Sequence, residues 1–375
     1  MARLAACCAI VLALQTSNPS CSGRSTSPTG EVFTAADGTR FLVEELVANV
    51  QVPWSLSFAP DGRLFFTERP GRVRVVQNGA LVSSPALTID DVSADEESGA
   101  LGVALAPNFA STHYVYVAYT ASVPGGILVN RLVRYREVQN TLADRVVLLD
   151  NIPAASRHDG ARVRFGPDGK LYMTMGDASD ASNAQDLASY SGKILRVNDD
   201  GTTPRDNPYA SPVLSLGHRN PQGIDWHPIT GDLWETEHGN VGNDEVNVIE
   251  AGRNYGWPAI EGNLTGPDMV TPLLVFTPAV APSGASFYRG TAFPAFQNNL
   301  FFATLVGQHI HRLRIDPANP RRIASDERLV DGLFGRIRDV VVGPDGFLYF
   351  STSNRDGRGT PAANDDRILR LVPAQ

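Results

Sequence analysis

The chain has 375 residues, of which 42% are hydrophobic and 19% charged, with 34 glycines and 26 prolines. This turn-rich globular composition argues against disorder beyond the start of the chain, and the length is compatible with one or two domains. The formal net charge of −8 argues against nucleic acid or an anionic membrane as a partner, because either normally requires a basic face. A small-molecule partner is therefore favoured.

Residues 1–25 are predicted to form a signal peptide. Arg3 supplies a short positive region, residues 4–14 are apolar and residues 15–25 are polar. The apolar run is too short to span a bilayer and no later segment is long enough, so we expect no transmembrane helix in the mature chain. The mature protein is expected to be exported, to the periplasm or outside the cell. Cys7 and Cys8 lie in the apolar run and would leave with it, so no internal disulfide is expected.

Cys21 allows two interpretations. It is either an unused residue of the leader or the lipid-modified first residue of a mature lipoprotein. Ser20 is small enough for lipoprotein processing, whereas Asn18 is not the apolar residue expected three positions before a lipidated cysteine. The sequence leaves a lipid anchor through Cys21 open.

A repeat recurs six times within residues 32–375. The copies are FAPDGRLFFTE from Phe58, LAPNFASTHYVYVAYT from Leu105, FGPDGKLYMTMGD from Phe165, WHPITGDLWETEHG from Trp226, a weaker FPAFQNNLFFATLVG from Phe293, and VGPDGFLYFSTSN from Val342. Each copy places a proline before a tight turn and then an alternating apolar strand, and the copies are spaced as four short strands plus loops require.

Six such units predict an all-β fold, a six-bladed β-propeller, in one domain spanning residues 32–375. In such a ring the last blade usually borrows a strand from the other terminus, and residues 39–50 are the expected donor. No segment shows sustained helical periodicity, so little helix is expected. An open sandwich of repeated hairpins is the alternative fold.

The first polar segment that could carry chemistry is residues 157–162, which precede the third repeat strand. His158 is a candidate general base, because a neutral imidazole accepts a proton from a hydroxyl near neutral pH. A structural histidine is the plainer interpretation. The next segment is GHRNPQG from Gly217, where the guanidinium of Arg219 would suit a ligand carboxylate, or equally an aspartate at the rim.

Residues 236–247 are rich in carboxylates, amides and glycine-exposed carbonyls, which are the oxygen ligands that Ca²⁺ prefers. Their spacing does not match the helix–loop–helix calcium motif, and acidic loops are often only solvated. Near the end of the chain, Arg336 and Arg338 lie two residues apart and so share one face of a strand. Paired arginines suit a polyanionic ligand, although rim salt bridges would use the same residues.

Together and in this order, these segments resemble the soluble quinoprotein glucose and aldose sugar dehydrogenases, the glucose/sorbosone dehydrogenase family. The resemblance runs from residue 52 to residue 371 and is carried most specifically by GHRNPQG and NYGWP. It implies a six-bladed propeller that binds pyrroloquinoline quinone (PQQ) and Ca²⁺. The implied activity is oxidation of the C1 hydroxyl of aldose sugars to lactones, with electrons passed to an extracytoplasmic acceptor.

The resemblance also implies a role for individual residues. His158 is implied to take the proton from the C1 hydroxyl while hydride passes to the quinone, and Arg219 to lie beside the reactive quinone carbonyl. The implied cofactor-binding residues are Glu97, Arg219, Asn220, His238, Arg336 and Arg338. The main-chain carbonyls of Gly239 and Asn240 are implied to bind the cofactor calcium, and Asp244, Glu245 and Tyr255 a second, structural calcium.

Three positions depart from the glucose enzymes of that family. Glu97 replaces a glutamine that often contacts the cofactor, Arg157 an aspartate that commonly precedes the base, and Val306 a lysine that can pair with a cofactor carboxylate. A carboxylate near a trianionic cofactor repels it unless a cation such as Ca²⁺ or Arg157 offsets the charge.

Two other functions stay open at this stage. A calcium-dependent six-bladed lactonase would need one metal cage of side-chain carboxylates and amides near the propeller axis. A non-catalytic binding propeller would keep the scaffold without the cofactor, and Glu97 and Val306 are the residues that favour it. The particular sugar, the electron acceptor and the oligomeric state are not specified by the sequence.

Overall fold

The computed structural model describes residues 30–374, so the predicted signal peptide and Cys21 lie outside the described residues. Two strands near the N-terminus, β1 (Phe33–Thr34) and β2 (Arg40–Val47), precede the first blade. Blade one contains β3 (Pro53–Phe58), β4 (Leu64–Glu68), β5 (Arg72–Gln77), β6 (Ala80–Leu81) and β7 (Leu87–Thr88). Blade two contains β8 (Ala100–Leu105), β9 (Tyr114–Val123), β10 (Ile127–Val138) and β11 (Thr141–Pro153).

The next three blades each have four strands. Blade three contains β12 (Val163–Phe165), β13 (Leu171–Met175), β14 (Lys193–Val197) and β15 (Val213–Leu216). Blade four contains β16 (Pro221–Trp226), β17 (Leu233–Glu237), β18 (Asp244–Ile249) and β19 (Leu274–Phe276). Blade five contains β20 (Pro282–Phe287), β21 (Leu300–Thr304), β22 (Ile310–Asp316) and β23 (Asn319–Leu329).

Blade six is completed by both ends of the chain. Its strands β24 (Ile337–Val342), β25 (Leu348–Thr352) and β26 (Ile368–Pro373) are followed in the sheet by β2 and then β1. Phe41 pairs with Pro373 and Val43 with Leu371, so β2 is the fourth strand of the last blade. This confirms the six-bladed propeller and the predicted closing segment at residues 39–50.

Helix is scarce, as predicted. The described residues contain one short α-helix, α1 (Phe109–Thr112), and two 3₁₀ turns, Ala181–Ala184 and Pro294–Phe296. No described helix is long and apolar enough to cross a membrane.

The repeat turns join the first and second strands of the blades. Gly62 and Gly346 adopt φ of +86° and +79°, and their N–H groups donate to the carbonyls of Ala59 and Gly343. A residue with a Cβ rarely adopts this left-handed conformation, which explains the glycine in the Pro-Asp-Gly copies of the repeat.

The hydrophobic core lies between the blades. Successive residues of a strand point to opposite faces, and both faces of the middle strands are covered by neighbouring blades. Phe65 packs against blade two and Phe66 against blade six, and both are fully buried. Blade six contacts blade one as closely as the other blades contact one another, so the ring is closed without an open end.

We predict that Phe41→Ala lowers the free energy of unfolding by about 3–5 kcal/mol, because it empties a buried aromatic site in the closing strand. Urea unfolding measures this change. Glu44→Ala is the matched control, because Glu44 lies in the same strand and makes an exposed ion pair with Arg370, worth about 1 kcal/mol or less. Equal losses for the two variants would show that closure does not depend on packing of β2.

Candidate active site

The predicted site residues meet at one end of the propeller axis. Most of them lie at or just before the start of a first strand of a blade, as His158 and Arg336 do, or just after a second strand, as His238 does. First and second strands are antiparallel, so both positions lie at the same end. There they line a cavity of about 280 Å³, to which the following predicted residues contribute: Glu97, His158, Arg219, His238, Gly239, Asn240, Asp244, Arg336 and Arg338.

A larger cavity of about 610 Å³ lies at the opposite ends of the first strands, between residues such as Phe58, Phe165 and Val342. None of the predicted site residues lines it. The smaller cavity is therefore the candidate active site, because of these two it alone combines histidines with arginines and carboxylates.

His158 is held by a carboxylate. Its Nδ1 lies 2.8 Å from Oδ1 of the buried Asp177, which follows β13. Asp177 also accepts hydrogen bonds from the indole N–H of Trp257 (2.9 Å) and the main-chain N–H of Ser179 (2.8 Å). An aspartate at Nδ1 fixes the imidazole so that Nε2 is left to accept a proton.

Three of the arginines that line the cavity were predicted as site residues, and they come from blades four and six. Arg336 donates to Asp356 at 2.8 Å, and Arg338 lies 3.5 Å from the same oxygen and donates to Gln222 at 3.0 Å. One carboxylate therefore serves two guanidiniums. Arg219 donates to the carbonyl of His238, faces the ring of Trp257 at 5.4 Å, and has an Nε with no partner among the described residues.

Burial lowers the pKa of Arg338 to about 9, although Asp356 acts in the opposite direction. The guanidinium nevertheless stays protonated at neutral pH. Burial also lowers the pKa of His238, so its imidazole is neutral under the same conditions. The cavity is thus a cationic pocket beside a neutral imidazole.

Several buried polar atoms beside the cavity have no partner within the described residues. These atoms are Nε of Arg219, Nε2 of His238 and both amide atoms of Asn220. Asn220 is fully buried and is not among the residues that line the cavity directly. Unpaired buried polar groups are costly, so the donors among them, Nε of Arg219 and Nδ2 of Asn220, fit a ligand that supplies carboxylate and carbonyl oxygens, as PQQ does.

The loop at Gly239 and Asn240 is fixed by Asp244. The carboxylate of Asp244 accepts three main-chain hydrogen bonds, from Gly239 (2.9 Å), Val280 (2.7 Å) and Ala281 (2.7 Å). Its contacts in this structure are therefore structural, and they hold the glycine loop whose carbonyls the family resemblance implies as ligands of the cofactor calcium.

A buried acidic cluster lies behind Arg219. It consists of Glu235, Glu237 and Glu245, with His218 and Asn247 beside them. Ligand atoms of His218, Glu235 and Glu237 lie within 4.8 Å of one another. Oε1 of Glu235 and Oδ1 of Asn247 have no partner within the part of the chain that the structure describes, so the cluster offers oxygen ligands to a divalent cation.

The raised pKa values in the acidic cluster reflect burial of several carboxylates with no cation beside them among the described residues. Burial raises the pKa of Glu245 to about 8, and the charge of Glu237 adds to the effect. Burial and Glu237 also raise the pKa of Glu235 well above its ordinary value. The hydroxyl of Tyr255 donates to the carbonyl of Val248 (2.6 Å) and accepts from the N–H of Glu250 (2.8 Å), so it is already paired within the protein.

The three positions that depart from the glucose enzymes have different surroundings. Glu97 accepts a hydrogen bond from Arg358 at 2.6 Å, whereas Arg157 contacts the neighbouring Glu96. Val306 is exposed at the cavity rim and contributes no charge. The cation that offsets Glu97 is therefore Arg358, whereas the sequence suggested Ca²⁺ or Arg157.

Sequence reasoning missed several residues of the site: Asp177, Asp356, Arg358, Glu235 and Glu237. Asp177 ends the repeat copy FGPDGKLYMTMGD, and Trp257 lies in NYGWP, so both were visible in segments already singled out. The sequence did not show that Asp177 bonds both His158 and Trp257, because these residues are apart in the chain, Trp257 lying 80 residues from Asp177.

We predict that Ca²⁺ stabilises chelator-treated protein by about 2–3 kcal/mol at a concentration near 100 times its dissociation constant. Glu245→Gln is expected to remove this gain, because it removes a buried carboxylate from the acidic cluster. Thermal unfolding with and without Ca²⁺ measures it. Glu250→Gln is the control, because Glu250 is an exposed residue just after β18. The same Ca²⁺ gain in the wild type and in Glu245→Gln would contradict a cation site there.

The same cluster predicts a pH dependence without divalent cations. The pKa of Glu245 is about 8 in the folded protein and about 4.5 in the unfolded chain. The unfolded chain therefore loses its proton first, and the free energy of unfolding should fall as the pH rises from about 4.5 towards 8. Glu245→Gln should make this slope shallower, whereas an unchanged slope would show that Glu245 does not cause it.

Known proteins resemble this chain over most of its length. A sequence profile of the glucose/sorbosone dehydrogenase family matches residues 50–369. The aldose sugar dehydrogenase YliI of Escherichia coli (strain K12) is 33% identical over 84% of this chain and 91% of its own. Quinoprotein glucose dehydrogenase B of Acinetobacter calcoaceticus is 27% identical over 87% of this chain and 88% of its own.

A solved structure shows the same architecture. The PQQ-bound form of the aldose sugar dehydrogenase of Streptomyces coelicolor has a TM-score of 0.80 and 32% identity, covering 88% of this chain and 98% of that one. The family profile spans all six blades of the propeller described above. The chain therefore belongs to the glucose/sorbosone dehydrogenase family, the soluble quinoprotein sugar dehydrogenases, as the sequence predicted.

Proposed function

We propose that the protein oxidises the C1 hydroxyl of aldose sugars to lactones in a reaction that depends on PQQ and Ca²⁺, with His158 as the general base. The observation that carries this proposal is the His158–Asp177 couple, which opens on a cavity lined by arginines. A base beside a polyanion site is the combination that quinone-dependent oxidation of an alcohol requires.

The couple would work as follows. Asp177 accepts the Nδ1 proton of His158 in a hydrogen bond, so Nε2 can take the proton of the sugar hydroxyl as the C1–H bond breaks. The imidazolium that forms is stabilised by the Asp177 carboxylate. Trp257 and Ser179 hold that carboxylate in place, so the base keeps its direction. A bound PQQ would supply the hydride acceptor for this oxidation, and a bound Ca²⁺ would supply Lewis-acid polarisation of the quinone.

The cationic residues would hold the cofactor. Arg336 and Arg338 share one carboxylate, Asp356, so their pair has positive charge left for the carboxylates of PQQ. Arg219 and Asn220 have unpaired buried donors beside the cavity, which suit the quinone oxygens. The main-chain carbonyls of Gly239 and Asn240 would bind the cofactor calcium, and the acidic cluster around Glu245 a second calcium.

The lactonase alternative is not favoured by the positions of the carboxylates. That function needs a cage of acidic side chains near the axis. The acidic cluster instead lies on the second and third strands of blade four, with Glu235 and Glu237 on β17 and Glu245 on β18. The arginines, and not a carboxylate cage, face the axial cavity.

We further propose that the reaction takes place outside the cytoplasm. The predicted signal peptide is the support for this location, with the anchor at Cys21 left open. Electrons from the reduced quinone would then pass to an extracytoplasmic acceptor.

Reconstitution tests the proposed function. Purified apoprotein is mixed with PQQ and Ca²⁺, and reduction of an artificial dye is followed across a panel of aldoses, with and without chelator. Sugar-dependent dye reduction that the chelator abolishes is the expected result. Absence of PQQ binding at micromolar concentration in the presence of Ca²⁺ would contradict the proposal.

We predict that His158→Ala lowers turnover by about 10²–10⁴-fold while PQQ still binds, because the variant removes the base but not the arginines. Asp177→Asn should lower turnover by at least about 10²-fold, since an amide favours the wrong tautomer of His158. Asp180→Asn is the control, because Asp180 caps a 3₁₀ turn in the same loop without touching the base. Steady-state kinetics at saturating PQQ measures these changes. Turnover of Asp177→Asn equal to that of the wild type would show that the His158–Asp177 couple has no role in the mechanism.

We predict that Arg336→Gln weakens PQQ binding by about tenfold or more, because a charge-assisted hydrogen bond contributes about 1.5–3 kcal/mol. Quenching of tryptophan fluorescence measures the affinity, and thermal unfolding checks that the variant is folded. Arg164→Gln is the matched control, since Arg164 lines the cavity at the opposite end of the axis. Equal affinities for the wild type and Arg336→Gln would place the PQQ carboxylates elsewhere.

A further inference from the structure

Two carboxylates and two arginines tie three loops together at the rim of the active-site cavity. Glu96 and Glu97 precede β8, Arg157 precedes β12, and Arg358 lies between β25 and β26. Arg358 contacts both acids, at 2.6 Å from Glu97 and 3.5 Å from Glu96. Arg157 contacts Glu96 alone. The two acids are neighbours in sequence, yet their surroundings differ.

Glu97 is the acid that reaches the base. Its Oε2 accepts the main-chain N–H of His158 at 3.2 Å, while its Oε1 is bound by Arg358. Its own N–H donates to the carbonyl of Ser156 at 2.9 Å. Glu97 therefore holds the main chain of the His158 segment through both its own main chain and its side chain, whereas Glu96, among the described residues, contacts only the side chain of Arg157 there.

The backbone of His158 needs such support. Its φ is +62°, in the left-handed region that residues with a Cβ rarely adopt. A conformation of this kind persists only where the surrounding structure holds it. The hydrogen bond from the His158 N–H to Glu97 on one side, and from the Ala178 N–H to the His158 carbonyl (3.1 Å) on the other, fix the peptide that aims the imidazole.

Arg358 keeps Glu97 in this role. Burial alone would raise the pKa of Glu97, but the charge that His238 gains at low pH and the hydrogen bond and charge of Arg358 outweigh it and lower the pKa to about 2. The carboxylate is therefore ionised and is a strong acceptor for the His158 N–H. Both of its oxygens already have partners within the protein, which leaves Glu97 poorly placed as a cofactor ligand.

We propose that Glu97 and Arg358 form a positioning pair for the base, in which Glu97 binds the main chain of His158 and Arg358 binds Glu97. The inference rests on the proposed function, in which His158 is the base. It changes the role of Glu97 from cofactor binding, which the family resemblance implied, to alignment of His158.

The test compares Glu97→Ala, Glu97→Gln, Arg358→Ala and the control Glu96→Ala in the full-length protein. Glu97→Ala should lower kcat by about tenfold, because the charged acceptor of the His158 N–H is lost, with PQQ affinity changed by less than about threefold. Glu97→Gln should recover most of this turnover, since its amide oxygen still accepts the N–H. The kcat of Arg358→Ala should lie between those of Glu97→Ala and Glu97→Gln, and the kcat of Glu96→Ala should equal the wild-type value.

A second readout needs neither cofactor nor turnover. Hydrogen–deuterium exchange of a peptide covering residues 156–158 should be about tenfold faster in apo Glu97→Ala than in the wild type, and unchanged in Glu96→Ala. Unchanged exchange in Glu97→Ala would overturn the proposal, as would a tenfold loss of PQQ affinity with normal kcat, which would make Glu97 a cofactor ligand. If the wild type binds no PQQ, the proposed function fails, and the exchange result still decides whether Glu97 holds His158.

Discussion

Closure of the ring is the constraint on which the rest of the structure depends. Each blade buries its faces only against its two neighbours, so an open ring would expose Phe66 of blade one and Tyr349 of blade six. Pairing of β2 with β26 closes the circle and fixes the first strand of every blade around one axis. Because the first strands surround one axis, loops that are far apart in the chain meet at one end of it and form the site.

The centre of the ring is held by buried charge as well as by apolar packing. Arg162 lies 3.0 Å from Asp339, stacks on Trp54 at 4.2 Å and donates to the carbonyl of Gln222. These residues come from blades three, six, one and four. A buried ion pair adds little net stability, but removal of either partner is costly, so it restricts how the first strands can be arranged. The positions of the active-site arginines therefore depend on this arrangement of the first strands.

The chemistry of the site follows from unequal environments for similar groups. Asp177 is paired with a histidine, Asp244 with three main-chain amides, and Asp356 with two arginines. The first carboxylate therefore orients the proposed base His158, the second fixes the loop at Gly239, and the third binds both Arg336 and Arg338. Glu235 and Glu245 have no such cationic partner among the described residues, which is why burial raises their pKa values and why a divalent cation suits them.

The sequence by itself determined the number of blades, the closing strand and the segments that form the site, because turn chemistry, strand alternation and the motifs GHRNPQG and NYGWP are local properties of the chain. The pattern made His158, Arg219, Arg336 and Arg338 candidates, and the family resemblance implied their roles. Only the tertiary structure decided which groups pair: Asp177 with His158, and Arg358 with Glu97 across 261 residues. Such partnerships depend on ring closure and on side-chain distances of a few ångströms, which no local pattern specifies.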